Sequence, residues 1–343
     1  MTRTINHAKP SGPSRGAAAM KKRVPGFHPK PGVVLRGLIS CRLLVLAAGL
    51  FLSHEVAADP PASRGGGSGT IGFFGPDNLV FDDQGSAYVV DTDHQTRGRV
   101  VKVSPSGGFI EAWNVFGAGA ERGPEGIAID ARGRVFVVDL GLQQVRAFSA
   151  DGRLLFSLGD TSLPLDHPGH VAVAADGTIY VSEAPHNRIH QLPAGGKPGA
   201  IWQRPVGRGS GEWNRPESIA VLRDGSLVVE DWANRRIEIL SPAGATRLVF
   251  GGSGRGPGQF ANSAGLFADD QDNILVADQA LHRIQKFDSS GKLVGIISNT
   301  DASTLFEHGP TSVAVDAYGN IYAADGLTIV KLSPQGAFLA RWK

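Results

Sequence analysis

The architecture this sequence predicts is all-β: a propeller of six blades, each of four antiparallel strands. Three observations carry that expectation. A segment recurs six times, and each copy closes on an acid, at Asp91, Asp139, Glu183, Asp231, Asp278 and Asp325, with intervals of 48, 44, 48, 47 and 47 residues. Each copy is made of short β-branched and aromatic runs bounded by Gly, Asp and Pro, which read as strands joined by hairpins. Glycine, at 46 of 343 residues, is nearly twice its usual level of about 7% and shows no Gly-X-Y period, so it marks tight turns. No run of ten or more residues at helical spacing appears, which argues against a helical solenoid.

Residues 1–58 read as an export signal. They hold nine Lys/Arg and one acid, Glu55, and contain the ten-residue apolar run Leu43–Leu52, followed by Val56-Ala57-Ala58. A spanning helix needs about 20 apolar residues; ten, with basic residues before and small ones after, fits a cleaved signal peptide with cleavage near Ala58 and a periplasmic or secreted product. Met20 is a second plausible start. Cleavage removes the only cysteine, Cys41, so neither a disulfide framework nor a cysteine-based zinc site is expected. It also removes most of the positive charge: beyond residue 58 there are 25 bases and 31 acids, a net −6. No nucleic-acid partner is expected of such a surface. Residues 59–69, rich in Pro, Gly and Ser, read as a flexible leader, and residues 70–343 as the propeller.

Within a repeat, the second copy shows the pattern. A run at Ile127–Ile129 leads into the turn Asp130–Gly133, then come runs at Val135–Val138, Val145–Phe148 and Leu154–Leu158, with a second turn at Ala150–Gly152. The runs are apolar without alternation, as expected of sheets covered on both faces. The stretch Asp269-Asp270-Gln271-Asp272-Asn273 superficially looks like a calcium loop, but it sits at the first turn and lacks the terminal Glu. It reads as the same turn with Asp replacing Gly.

Gly251–Phe260 (GGSGRGPGQF), Asp278–Ile284 (DQALHRI), Asp231–Ile237 (DWANRRI) and Glu183–Ile189 (EAPHNRI) resemble the spacer and signature of NHL repeats. The resemblance covers about residues 70–343 and implies a six-bladed NHL-type β-propeller. It implies a fold more than an activity, since propellers host unrelated functions. Copies one, two and six depart from the pattern in the loop after the closing acid, and copy two has no arginine there in register.

With strands a to d counted outward from the axis, the a–b turns lie on one face. The b–c loops and d–a linkers, which vary in length, lie on the other. A site is expected on the variable face, near the central channel. The repeated acids, three of them followed by Arg188, Arg236 and Arg283 at one spacing, read as structural pairs. Breaks in the repeat are more informative. His170 stands at the start of strand a, where the other copies have Asn78, Gly126, Ser218, Gly265 and Ser312. One position earlier, Asp77, Glu125 and Glu217 supply acids. These four, with His94, His186, Trp232 and His282 from the b–c loops, form the candidate binding set. A carboxylate beside His170 is expected to raise its pKa.

Two function classes follow. The first is a non-catalytic binding module for an extracytoplasmic protein, peptide or glycan. The second is a metal-assisted propeller enzyme, a lyase or a lactonase-like hydrolase. The amidating lyases, which NHL propellers resemble, place zinc-binding histidines directly after the strand-a proline. The matching residues here are Asp77, Glu125, Gly169, Glu217, Ala264 and Thr311, so that zinc set is not carried over. No cofactor is firmly implied; calcium or zinc enters only with the enzyme reading. No nucleophile elbow is present, and no cysteine survives export.

Overall fold

The computed structural model describes residues 63–64, 71–94, 98–115, 123–195, 197–300 and 303–343. The expected export segment lies outside these residues. Among the described residues, no helix is long and apolar enough to cross a membrane. They form six sheets, each with four strands hydrogen-bonded in chain order, the first carrying a fifth short strand at its outer edge. The first strands of the blades, from the first blade to the sixth, are Pro76–Phe81, Pro124–Ile129, Val171–Val173, Pro216–Val221, Ser263–Ala268 and Ser312–Val315. Each of these strands neighbours strand a of the blade on either side, including six against one, so they ring the axis. Ser63–Arg64, within the expected leader, pairs antiparallel with Glu111 and Ala112 of strand d in blade one.

Strand b of every blade is buried along its whole length, for example Val135–Asp139 and Ile274–Asp278. The uninterrupted apolar runs are therefore explained for these strands. The outermost strands behave differently: Leu154–Leu158 and Leu293–Ser298 alternate between half-buried and more exposed positions, because one face looks to solvent. At the first turn, Asp82 accepts the Gln84 and Ser86 N–H groups through Oδ1. Asp130, Asp269 and Asp316 repeat that arrangement. Asp272 sits at φ 61° and its N–H reaches Asp269 O at 2.9 Å, as expected of an acid standing in for glycine.

The closing acids hold the repeat together. Each is at most 1% exposed. Asp91 Oδ1 accepts the N–H groups of Phe74 and Gly75 at 2.7 and 2.9 Å, and Asp325 accepts those of Glu307 and His308 at 2.8 Å each. A guanidinium completes every blade. Arg188, Arg236 and Arg283 pair with Glu183, Asp231 and Asp278 as expected. The three irregular copies also have one. Arg99 lies in register with Asp91 across a longer loop, at 2.7 Å. Arg146, two residues past register, reaches Asp139 at 3.6 Å. Arg341, from strand d, reaches Asp325 at 3.0 Å.

Adjacent blades interlock at a second repeated contact. The strand-d residue facing the β-branched residue near the start of strand c is Trp113, Leu158, Trp202, Phe250, Ile297 or Trp342. Trp113 lies so close under Gly152 of blade two that a Cβ there would fall 2.6 Å from its ring, and Trp342 meets Gly107 of blade one likewise at 2.4 Å. Leu158 is shorter, and Gly195, the matching glycine of blade three, has nothing within 4 Å. Blade six closes on blade one by packing, with Ala314, Tyr322 and Trp342 in one core with Leu79, Val89 and Ala112. The Ile71 N–H also donates to Lys343 O at 2.8 Å.

Gly152 and Gly195 both have positive φ, 79° and 95°. Alanine at Gly195 is therefore expected to cost about 1–2 kcal/mol from the backbone alone. Gly152→Ala adds the clash with Trp113, a further ~1–3 kcal/mol. Urea denaturation of the two variants checks the difference.

Candidate functional site

The bulge at the start of strand a sets the site. Register slips between Pro76 and Asn78, Pro124 and Ile127, and Pro216 and Ile219, so the residues after the prolines turn toward the axis. On the face of the b–c loops, they enclose a cavity of about 270 Å³ that Asp77, Asn78, Glu125, His170, Glu217 and Trp232 help to line. Five of the eight expected residues thus meet in one place: Asp77, Glu125, His170, Glu217 and Trp232. Three do not line it. His94 lies nearby, and its charge acts on Asp77. His282 is turned aside, with Nδ1 3.1 Å from Phe306 O. His186 sits against Asp166, with Nε2 2.7 Å from Oδ2.

Electrostatics in the cavity are set by burial. Asp77 is pushed above the usual carboxylate range by desolvation, partly offset by His94. Glu217 is raised by desolvation too, against the pull of Arg215, whose guanidinium is 3.6 Å away. His170 goes the other way from expectation. Its pKa falls to about 4 because burial disfavours the imidazolium; the same desolvation holds Asp77 and Glu217 toward their neutral forms, which leaves little negative charge beside the ring. Its ring faces Asn78 across the axis, Nδ1 to Nδ2 at 3.5 Å. Trp232 is flanked by the Arg215 and Arg235 guanidiniums at 4.8 and 5.1 Å.

Asn78 and His170 also line a second cavity of about 500 Å³ along the axis, which runs to the a–b turns at Asp82, Asp269 and Asp316. It is the larger of the two. The carboxylates at its far end are already engaged by the backbone of their own turns. At the mouth, Glu217 faces the Arg215 guanidinium instead.

One residue at the site was not anticipated from the sequence. Glu230, 1% exposed, stands in strand b beneath the mouth, in the register where the other blades have Val90, Val138, Ser182, Ala277 and Ala324. Its Oε1 has no hydrogen-bond partner. Burial raises its pKa to about 7, helped by Glu217 and opposed by the Ser263 hydroxyl, the Ser218 N–H and Arg235. The signal is present in the sequence, where Glu230 is the single acid at this strand-b position among the six copies.

No family model matches the chain. Curated relatives that align with part of it include the mouse NHL repeat-containing protein 3, 31% identical over 125 residues (35% of each chain), and a Caenorhabditis elegans protein named probable peptidyl-alpha-hydroxyglycine alpha-amidating lyase, 32% identical over 136 residues (37% of this chain, 39% of the relative). The chain therefore spans little more than a third of the length of these relatives. Among solved structures, the virginiamycin B lyase of Staphylococcus aureus superposes with a TM-score of 0.56 at 16% identity, covering 78% of this chain and 84% of that one. A gluconolactonase of Xanthomonas campestris gives 0.56 at 17%, covering 76% and 86%. At these identities the likeness is one of fold.

Glu230 makes stability depend on pH. Between about pH 4.5 and pH 7, the folded chain keeps a proton that the unfolded chain has released, so this group lowers stability as pH rises through the window and then no further. Glu230→Gln is expected to remove that slope, gaining on the wild type by roughly 3 kcal/mol from pH 4.5 to 7.5. Denaturation curves across this range measure it. Six such four-stranded repeats around one axis make the described residues a six-bladed β-propeller, and NHL repeat-containing proteins are among the relatives that match part of the chain.

Proposed function

We propose that this chain is a binding module whose mouth holds a cationic group, a lysine, an arginine or an amine, presented by a protein, peptide or glycan. The observation that carries this is the meeting of Asp77, Glu125 and Glu217 with Trp232 around one cavity whose described lining contains no Lys or Arg. Carboxyls held toward their neutral form by burial are the groups an incoming cation stabilises most, because it returns the charge that desolvation opposes. Such a mouth needs no preformed nucleophile.

A second reading, a metal-assisted lyase or lactonase-like hydrolase using calcium or zinc, draws on the neutral His170 beside Asn78 and on Glu230, whose pKa of about 7 suits proton transfer near neutrality. Native mass spectrometry with metal analysis separates the two: a stoichiometric metal that is lost on His170→Ala supports the enzyme.

On the preferred reading the chain is exported through residues 1–58, and its mature surface, net −6, does not bind nucleic acid. N-terminal sequencing of the mature protein is expected to start near Asp59; a full-length chain recovered from the cytoplasm would count against export.

Tetralysine serves as the probe for the mouth. Its binding, followed by the change in tryptophan fluorescence, is expected to strengthen as pH rises and Asp77 and Glu217 ionise, and to weaken with salt. Asp77→Asn and Glu217→Gln should each lower affinity about tenfold while tetraglutamate does not bind. Equal binding of the two peptides, or no effect of either substitution, would reject the proposal.

A further inference from the structure

We propose a second site on the same face, independent of the mouth: a divalent transition-metal site formed by Asp166, His167 and His186. Asp166 and His167 belong to the linker between blades two and three. His186 belongs to the b–c loop of blade three. Asp166 Oδ1 lies 2.7 Å from His167 Nδ1, and its Oδ2 lies 2.7 Å from His186 Nε2. The three donors are within 4.8 Å of one another. Zinc bound at about 2.0–2.1 Å from each donor needs them no more than ~4 Å apart. Because all three side chains are a third or more exposed, small rotations supply the difference.

Both loops are held by other contacts. The Asp166 N–H donates to Glu183 Oε1 at 2.8 Å, and the other oxygen of that carboxylate is taken by Arg188. The His167 N–H donates to the Gln143 side chain, and His167 itself sits in the left-handed region at φ 56°. His186 ends a 3-10 turn that contains Pro185 and is closed by the Asn187 N–H on Ala184 O. The blade does not need this cluster for its own stability. At the three corresponding positions, no other copy carries more than one imidazole or carboxylate: blade one has Phe74, Gly75 and His94, blade four Asn214, Arg215 and Asn234, and blade six His308, Gly309 and Thr328. A repeat reuses its stabilising devices, so a set present in a single copy serves something else.

The donor set names the class of ion. Two imidazoles and one carboxylate suit zinc and its first-row neighbours, whereas calcium and magnesium favour oxygen donors throughout. Three protein donors on an exposed surface leave a coordination position open, as in sites that exchange ligands and unlike closed four-ligand sites.

Calorimetric titration of the EDTA-treated full chain with zinc chloride tests this. One zinc per chain is expected, unaffected by excess calcium. His186→Ala and Asp166→Asn should each weaken it at least tenfold, as should His167→Asn, a residue that tolerates the left-handed backbone. Melting temperatures near that of the wild type would show that the variants are folded; if one is not, the other two decide. His170→Ala serves as the control for the mouth. Absence of zinc binding, zinc retained unchanged in His186→Ala, or zinc lost only with His170→Ala would each overturn the assignment.

Discussion

A buried carboxylate at the end of each strand b is the interaction on which this propeller depends. It lies where three parts of a blade meet: the strand itself, the incoming linker whose N–H groups it accepts, and a guanidinium that neutralises it. Such a charge is costly to bury unless its lone pairs are filled and a counter-charge is near. Here both conditions are met in the same few ångströms. The linker backbone is thereby fixed just before strand a begins, and this aims the residues after the proline at the axis. The mouth inherits its geometry from this device. Asp77, Glu125 and Glu217 are loop-like in chemistry, but they are placed by the rigid end of a sheet.

The source of the guanidinium shows how tightly that requirement is enforced. Where the b–c loop lengthens, Arg99 still arrives in register. Where register position 144 is a glutamine, Arg146 reaches back, and where the loop shrinks to Gly326-Leu327, strand d supplies Arg341. The electrostatic demand is conserved within the molecule while the sequence position is not. Arginine suits this substitution of origin because its long stem and forked donors reach one carboxylate from several backbone sites.

Much of this was legible in the sequence because a repeat displays its own rules. The closing acids, the turn at Asp269–Asn273 and the convergence of residues after the prolines could all be read by aligning the copies. What was not legible falls into two kinds. Loop side chains such as His94, His186 and His282 take directions set by left-handed residues and linker contacts, and periodicity carries no information about those. Long-range partners such as Arg341 are near in space and distant in the repeat. The pKa of His170 belongs to a third kind: the sign of its shift depended on whether desolvation or neighbouring charge dominates, and only the enclosure of the site decides that.

The seam between blades six and one has a further consequence. Every other pair of neighbouring blades is joined by a covalent linker; at the seam the rings are held by the packing of Trp342 and its neighbours and by the Ile71–Lys343 hydrogen bond. A noncovalent joint in a closed circle bears the full strain of closure, so the ring's breathing motions should concentrate there, with blades one and six as the units that open first and reclose last. The mouth draws on blades on both sides of that joint, Asp77 from one and Ser312 from the other. Its width is therefore coupled to the seam, and a ligand that spans the mouth acts as a clasp on the ring.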